Sequence, residues 1–354
     1  MRKILVISLI TLLSAVLTCG FAYAAITGPC SDCHTMHNSQ DGLNQAKDFT
    51  GTLTGTAYGN LTKSSCLGCH NGVLGGSVTA PNVFANNYDI GLTSNIAAGG
   101  SFAGSWTNPT VAQTTDAMVH NVTDLSSLMP YGQEGTLTAP PGDNASTGIT
   151  NLNFTCAGFN GCHGDRTNGS LTSSDEGIKG FHHQSKGKGS YRFLQLKTSA
   201  TNIKGSGSSD WEQITGGPTD SDHNIYSADT TAGISKFCGT CHGTFHDSIG
   251  TAGAWIRHPT DNLLSATGWN LNSINVSGGT HYTNYPFAFQ DGDMPTTGQA
   301  YNANTTGARV ACVSCHRAHG TPYSDILRWD YSEQLAGEGS SSSIGCLGCH
   351  YLQR

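Results

Sequence analysis

The sequence predicts a fold that is mostly irregular coil, with short helices and a few small strands around a core that apolar side chains do not supply. Of the 354 residues, 46 are glycine and only 36% are hydrophobic. Few stretches keep the periodic apolar pattern of an amphipathic helix or a half-buried strand. Such a chain buries too little apolar surface to offset the entropy of ordering it, so we expect a non-peptide core.

The first 24 residues have the pattern of a secretory signal peptide, with a basic start, an apolar stretch and a small-residue cleavage site. A lipoprotein anchored through Cys19 is the alternative, which the preceding Thr18 disfavours. We therefore expect an exported protein, extracellular or on the cell surface, whose residues 25–354 form a single domain. No later stretch is apolar for long enough to predict a transmembrane segment.

The mature chain is acidic. Loss of Arg2 and Lys3 with the signal peptide leaves 15 basic against 24 acidic residues, a formal net charge of −9. This charge argues against binding to nucleic acid or to anionic membrane surfaces.

Cysteine spacing identifies the non-peptide core. Five Cys-x-x-Cys-His motifs predict covalent haem attachment, in which two thiols bond to the haem vinyl groups and the adjacent histidine is the proximal iron ligand. Zinc ribbons do not require that histidine, and a disulfide framework does not explain five of them. The motif residues are Cys30, Cys33 and His34; Cys66, Cys69 and His70; Cys238, Cys241 and His242; Cys312, Cys315 and His316; and Cys346, Cys349 and His350.

A sixth, irregular site is predicted at Cys156, Cys162 and His163, where five residues separate the thiols instead of two. The cysteine–histidine adjacency that places the axial ligand is kept. Gly158 and Gly161 would let the extra residues loop outward without steric cost. A local disulfide is the alternative, so the predicted cofactor content is six haem c groups, or five if this site holds none.

Histidines are numerous enough to ligate every iron on both sides. Nine of the 15 histidines lie outside the motifs. Methionine is another common sixth ligand, and Met129 and Met294 are minor alternatives. Bis-histidine ligation leaves no open iron position, which argues against an enzyme. The predicted distal candidates, about six of which are needed, are His37, His120, His183, His223, His246, His258, His281 and His319.

Local spacing restricts which iron three of these can reach. His37 and His319 follow a motif histidine by three residues, and His246 does so by four. Side chains with this separation lie on the same side of a helical turn, whereas the haem plane would separate two ligands of one iron. We therefore expect these three histidines to bind other haems, or else to hydrogen-bond propionates or backbone. We also expect short helices after the motifs.

Several segments resemble the extracellular multihaem cytochrome filaments of metal-reducing bacteria, the OmcS/OmcE-type nanowires. The resemblance rests on CSDCHTMHNS, SSCLGCH, DHNIYSAD, FCGTCHGTFHDS, IRHP and CVSCHRAHG. It implies a multihaem cytochrome c in which a chain with little regular structure surrounds a string of stacked bis-histidine haems. It also implies that His37 binds the haem of His316 in the next subunit, so that molecules join end to end. The spacing at Cys156 and Cys162 departs from the family pattern.

Three functions fit these features. The first is extracellular electron transfer through a polymerising haem string, with other cytochromes, minerals or electrodes as partners. The second is a periplasmic or surface electron shuttle that does not polymerise. The third is a multihaem reductase, for which the irregular third site is the candidate open iron position.

Overall fold

The computed structural model shows a chain held together by short elements and long-range backbone contacts. It describes residues 29–70, 80–83, 97–102, 118–125, 139–143, 147–183, 189–207, 224–246, 260–261, 263, 286–293, 307–334 and 345–346. The signal peptide expected over residues 1–24 lies outside these ranges. In the described part, no helix is both long and apolar enough to cross a membrane.

In the described part of the chain the helices are single turns, and three of the six coincide with haem motifs. In the motifs at Cys30 and Cys312, the amide of the motif histidine donates to the carbonyl of the first cysteine, at 2.8 and 3.0 Å. The expectation of a short helix after each motif is met at the fourth motif, which Gly243–His246 follows directly. It is wrong at the first, third and fifth motifs, and the residues after the second and sixth lie outside the described part. The described helices are Cys30–Cys33 (α1), Cys66–His70 (α2), Ser174–Gly177 (α3), Ile234–Cys238 (α4), Gly243–His246 (α5) and Cys312–Cys315 (α6).

The described strands have two or three residues each and form three small sheets. Ser39–Gln40 (β1) pairs antiparallel with Leu43–Asn44 (β2). Thr155–Ala157 (β3) pairs parallel with Gly161–His163 (β4). In the third sheet, Ile225–Ser227 (β6) lies between antiparallel Gly205–Ser206 (β5) and parallel Ala288–Phe289 (β7). The predicted fold class of irregular coil with short helices and few small strands is confirmed.

Two separate apolar clusters lie beside the motifs. The larger one contains the buried side chains of Ile203 and Tyr226, with Cys162 and Cys238 packed against it. The smaller one contains Leu67 and Leu125, with Cys156 packed against it. Because motif cysteines border both clusters, the peptide core lies against the positions where thioether-linked groups attach.

A three-segment junction brings distant parts of the chain together. The amide of Ser101 donates to the carbonyl of Gly320 at 3.2 Å, and the amide of His120 donates to the carbonyl of His319 at 3.0 Å. Arg317 reaches the carbonyl of Ala98 through Nη1 at 2.7 Å. These bonds fix His120 and His319 side by side, although almost 200 residues separate them in sequence.

Candidate haem sites

Four pairs of histidine rings face each other at nearly equal distances. In each pair one ring belongs to a motif histidine and the other comes from a distant part of the chain. The ring centres of the pairs are separated by 6.0 Å for His34 and His183, 6.4 Å for His70 and His182, 6.3 Å for His163 and His319, and 6.1 Å for His242 and His120.

This spacing fits two imidazoles bound to opposite sides of one iron. Metal–imidazole bonds of about 2 Å on each side, together with the distance from the nitrogen to the ring centre, give a separation of about 6 Å. Rings in ordinary van der Waals stacking would lie closer together. The donor set and its spacing therefore suit axial ligation of haem at the first four sites.

The sequence-predicted distal candidates fall into three groups. Three of them, His120, His183 and His319, lie opposite motif histidines. Two, His37 and His246, lie elsewhere in the described part, and three lie outside it: His223, His258 and His281. Cys349 and His350 of the last motif, and Met129 and Met294, also lie outside the described residues.

The residue that sequence analysis omitted is His182, which faces His70. The tandem histidines at 182 and 183 were the available signal, because adjacent residues in an irregular segment can point to different sides. Here the tandem pair serves two neighbouring motifs, since His183 faces His34. One short segment thereby connects the first and second sites.

His319 lies where its spacing from His316 predicts, opposite the histidine of another motif. It lies three residues after His316 but faces His163, the histidine of a different motif. Phe102 stacks on the His319 ring, with centres 4.7 Å apart, and holds its orientation.

His246 and His37 have different surroundings. The Nε2 atom of His246 lies 3.1 Å from the carboxylate of Asp261. His37 is exposed, and so is His316, opposite which no histidine ring lies among the described residues. Thus, in the described part of one molecule, His316 of the fifth motif faces no second histidine, and His37 faces no motif histidine.

Backbone carbonyls orient all five described motif histidines. A carbonyl can only accept a hydrogen bond, so each Nδ1 carries the proton and each Nε2 keeps its lone pair for a metal. The Nδ1–O distances are 3.1 Å from His34 to Asn60, 3.0 Å from His70 to Pro81, 2.8 Å from His163 to Arg192, 2.7 Å from His242 to Pro141 and 2.7 Å from His316 to Asp325.

Burial favours the neutral form of three of the proposed distal imidazoles. Burial, followed by the charge of His163, lowers the pKa of His319 to about 3. Burial followed by His242 lowers the pKa of His120 to about 4, and burial followed by His70 does the same for the pKa of His182. Neutral imidazole is the form that binds iron, so these groups need no deprotonation at neutral pH.

Thiols of consecutive motifs adjoin one another. The Cys156 thiol lies beside Cys66, and this contact together with burial raises the pKa of Cys156 well above its ordinary value. The Cys238 thiol is related in the same way to Cys312. Burial, with a further contribution from Cys33, raises the pKa of Cys69 to about 12. Burial, with a further contribution from Cys241, raises the pKa of Cys162 to about 11, so the attachment points of the first five motifs follow one another through space in sequence order.

The irregular third motif reaches a similar ligand geometry by a different backbone. Its cysteines lie on β3 and β4, and both are free thiols rather than a local disulfide. Gly158 turns the connecting loop at a φ of 94°, and a Cβ on Gly161 would lie 2.6 Å from the backbone of Ala157. The glycines expected to accommodate the longer loop therefore do so, and His163 still donates Nδ1–H to a carbonyl.

Comparison with known proteins found one clear relative. The chain is 27% identical to the C-type cytochrome OmcS of Geobacter sulfurreducens over 361 aligned positions, covering 89% of this chain and 82% of the relative. No family model matches the chain. The resemblance to OmcS-type cytochromes stated from the motifs is confirmed by this relative.

Two solved structures of proteins from Geobacter sulfurreducens are also similar to this chain. OmcS nanowires determined by cryo-EM match with 17% identity and a TM-score of 0.44, covering 87% of this chain and 84% of that chain. An outer membrane cytochrome S filament matches with 20% identity and a TM-score of 0.40, covering 88% of this chain and 85% of that chain.

Proposed function

From this relationship to an OmcS-type cytochrome, we propose that the protein transfers electrons outside the cell through six covalently bound bis-histidine haems. The observation that carries the proposal is the set of four histidine pairs with ring centres 6.0 to 6.4 Å apart. Haem iron supplies reversible one-electron oxidation and reduction. The chain is then an electron carrier rather than an enzyme.

The role proposed for each histidine follows from the histidine pair to which it belongs. The two cysteines of each site hold the haem, and the motif histidine is the proximal ligand. His183, His182, His319 and His120 are the proposed distal ligands at the first to fourth sites, in that order. With histidines as both axial ligands, these irons would have no open position at which a substrate could bind.

A continuous string is supported by the adjoining thiols. The Cys156 thiol of the third motif lies beside Cys66 of the second, and the Cys238 thiol of the fourth lies beside Cys312 of the fifth. Neighbouring attachment points place neighbouring haems close together, which suits electron hopping along residues 25–354 as one domain. The string would accept electrons at one end and deliver them at the other.

Polymerisation is proposed through His37, which would bind the haem of His316 in the next subunit. Both histidines are exposed, and His316 faces no described histidine of its own molecule. The neighbouring Met36 has 78% of its surface exposed, and Leu43 has 65%. Apolar side chains of this size at a molecular surface suit a contact with a second copy.

We propose that the protein is exported and acts outside the cell or at the cell surface. Other cytochromes, minerals or electrodes would be its redox partners, and its acidic charge disfavours nucleic acid. A non-polymerising shuttle remains the second candidate. The reductase hypothesis required an open iron at the third site, and it is disfavoured because His319 faces His163.

The test compares the wild-type chain with His37→Ala. Purified wild-type protein should have an intact mass that includes six haems, a low-spin ferric spectrum and filaments under the electron microscope. His37→Ala should keep all six haems and lose the filaments, because only the link between subunits is removed. Lys179→Ala is the control, since that exposed side chain belongs to no haem motif and to no predicted ligand set, and it should still polymerise.

Different outcomes contradict different parts of the proposal. Unchanged filaments in His37→Ala would refute the subunit link and leave the electron-carrier role. A mass with five haems would refute haem attachment at Cys156 and Cys162. A strong high-spin ferric signal in the wild type would favour the reductase.

A further inference from the structure

A left-handed turn recurs at alternate motifs. Outside glycine, three pairs of consecutive residues adopt positive φ within short 3₁₀ turns of the described chain. Their φ values are 57° and 57° for Asn60 and Leu61, 48° and 62° for Arg192 and Phe193, and 60° and 54° for Asp325 and Ile326. In each turn a polar residue is followed by a large apolar residue, so the likeness of the backbones has a weak counterpart in the sequence.

Each turn accepts the same two hydrogen bonds from a motif histidine and the residue after it. The carbonyl of the first left-handed residue accepts Nδ1–H from His34, His163 or His316, at 3.1, 2.8 and 2.7 Å. The carbonyl of the second accepts the backbone amide of the residue that follows the histidine. These backbone N–H to carbonyl hydrogen bonds run from Thr35 to Leu61 at 2.9 Å, from Gly164 to Phe193 at 2.8 Å and from Arg317 to Ile326 at 2.9 Å.

The conformation is costly without such bonds. Left-handed backbone is unfavourable for residues other than glycine, least so for Asn and Asp, and a β-branched residue such as Ile326 is a rare occupant. Strain of this kind persists where the surroundings over-determine it, and it concentrates at functional sites. The three turns are placed where two carbonyls must point at a histidine and at the amide beside it.

The histidines of the second and fourth motifs donate to carbonyls of a different kind. His70 donates to the carbonyl of Pro81 at 3.0 Å, and His242 donates to that of Pro141 at 2.7 Å. Neither acceptor has positive φ. The described motifs therefore alternate between two supports, with left-handed turns at the first, third and fifth and proline carbonyls at the second and fourth.

We propose that Asn60, Arg192 and Asp325 are positioning residues whose left-handed backbone aims a carbonyl at the proximal histidine and lowers the reduction potential of the first, third and fifth haems. The proposal rests on the haem ligation proposed above. A hydrogen bond from Nδ1 fixes the ring orientation and increases the basicity of the ligating nitrogen. A more basic ligand stabilises ferric iron over ferrous iron, so losing the bond shifts that haem to a higher potential.

Asp325 is the position for the test, because its exposed side chain can be changed with little loss of packing. Asp325→Gly keeps the left-handed turn, whereas Asp325→Val disfavours it. We expect spectroelectrochemical titration of the holoprotein to move about one sixth of the haem to higher potential in Asp325→Val relative to Asp325→Gly. The ferric electron paramagnetic resonance signal of the same fraction should change, because the ligand plane is no longer held.

The matched control is Ala200, which has a φ of 53° and an exposed side chain in a hairpin loop. Ala200→Val and Ala200→Gly impose the same change of backbone preference where no histidine is supported. Their potentials should agree. Equal potentials in the two Asp325 variants would overturn the proposal, and so would a shift of similar size between the two Ala200 variants.

The Asn60→Val and Asn60→Gly pair provides the same comparison at the first site if Asp325→Val does not assemble. A difference confined to one sixth of the haem supports the proposal, and no difference overturns it. Failure of the underlying haem assignment has a separate signature. In that case the wild type itself would lack six haem masses or low-spin spectra.

Discussion

At the scale of single residues, the tandem histidines show how one short segment can serve two centres. His182 and His183 are adjacent, yet their rings face His70 and His34 respectively. Phe193 lies 5.3 Å from the His182 ring, between ring centres, and limits its rotation. Two consecutive side chains in irregular backbone can diverge in this way, whereas a helix would direct them by its own geometry.

We predict that His182→Ala and His183→Ala each remove the distal ligand of a different haem. The haem count should stay at six, because attachment through the thioethers is unaffected. Ferric absorption spectra should show a high-spin fraction of about one sixth in each single variant and about one third in the double variant. A double variant no more high-spin than either single variant would show that both histidines serve one iron.

At the scale of elements, the irregular third motif shows that ligand geometry is separable from secondary structure. The motifs that begin at Cys30, Cys66 and Cys312 present both thiols on one helical turn, whereas Cys156 and Cys162 lie on paired strands. In this loop Gly158 approaches the carbonyl of Leu171 and the backbone of Gly177 closely. The strand pair depends on that approach, since a Cβ at position 158 would lie 2.5 Å from the Leu171 oxygen.

We predict that Gly158→Ala destabilises the protein more than Gly148→Ala. Both positions have positive φ, 94° and 68°, so both substitutions incur a backbone cost of about 1 kcal/mol. Only Gly158 has no space for a Cβ, and nothing lies within 4 Å of one at Gly148. The additional loss should be about 1–3 kcal/mol in guanidinium unfolding. Equal losses at the two positions would contradict the steric argument.

At the scale of the whole molecule, peptide contacts alone form a sparse framework. The described helices have four or five residues and the described strands two or three. The apolar clusters are separate, and each is bordered by motif cysteines. Helices this short are unstable in isolation, so their persistence depends on the groups against which they pack.

We therefore predict that the chain does not fold without its cofactor. Protein produced where haem is not attached should show the far-UV circular dichroism of a disordered chain and no cooperative thermal transition. The exported, haem-containing protein is the reference and should unfold cooperatively, because a group bound to the native state alone stabilises it. A cooperative transition in the haem-free chain would show that the peptide core is sufficient.

Sequence reasoning predicted the attachment residues and the coil-rich fold but not the partner of each histidine. The spacing of His319 from His316 excluded a shared iron, and the structure places it opposite His163. The same reasoning left out His182, because nothing near that residue in sequence indicates His70. The recurring left-handed turns were also not predicted, since a polar residue followed by an apolar one is too common a pattern to indicate positive φ.

The sequence by itself determined where haem can be attached, because that chemistry needs only two thiols and a histidine within a few consecutive residues. It also determined that apolar side chains would not form the main core. Only the tertiary structure decided which imidazoles face one another and which carbonyls orient them. Those contacts join residues far apart in the chain, and they depend on how its loops close rather than on any local pattern.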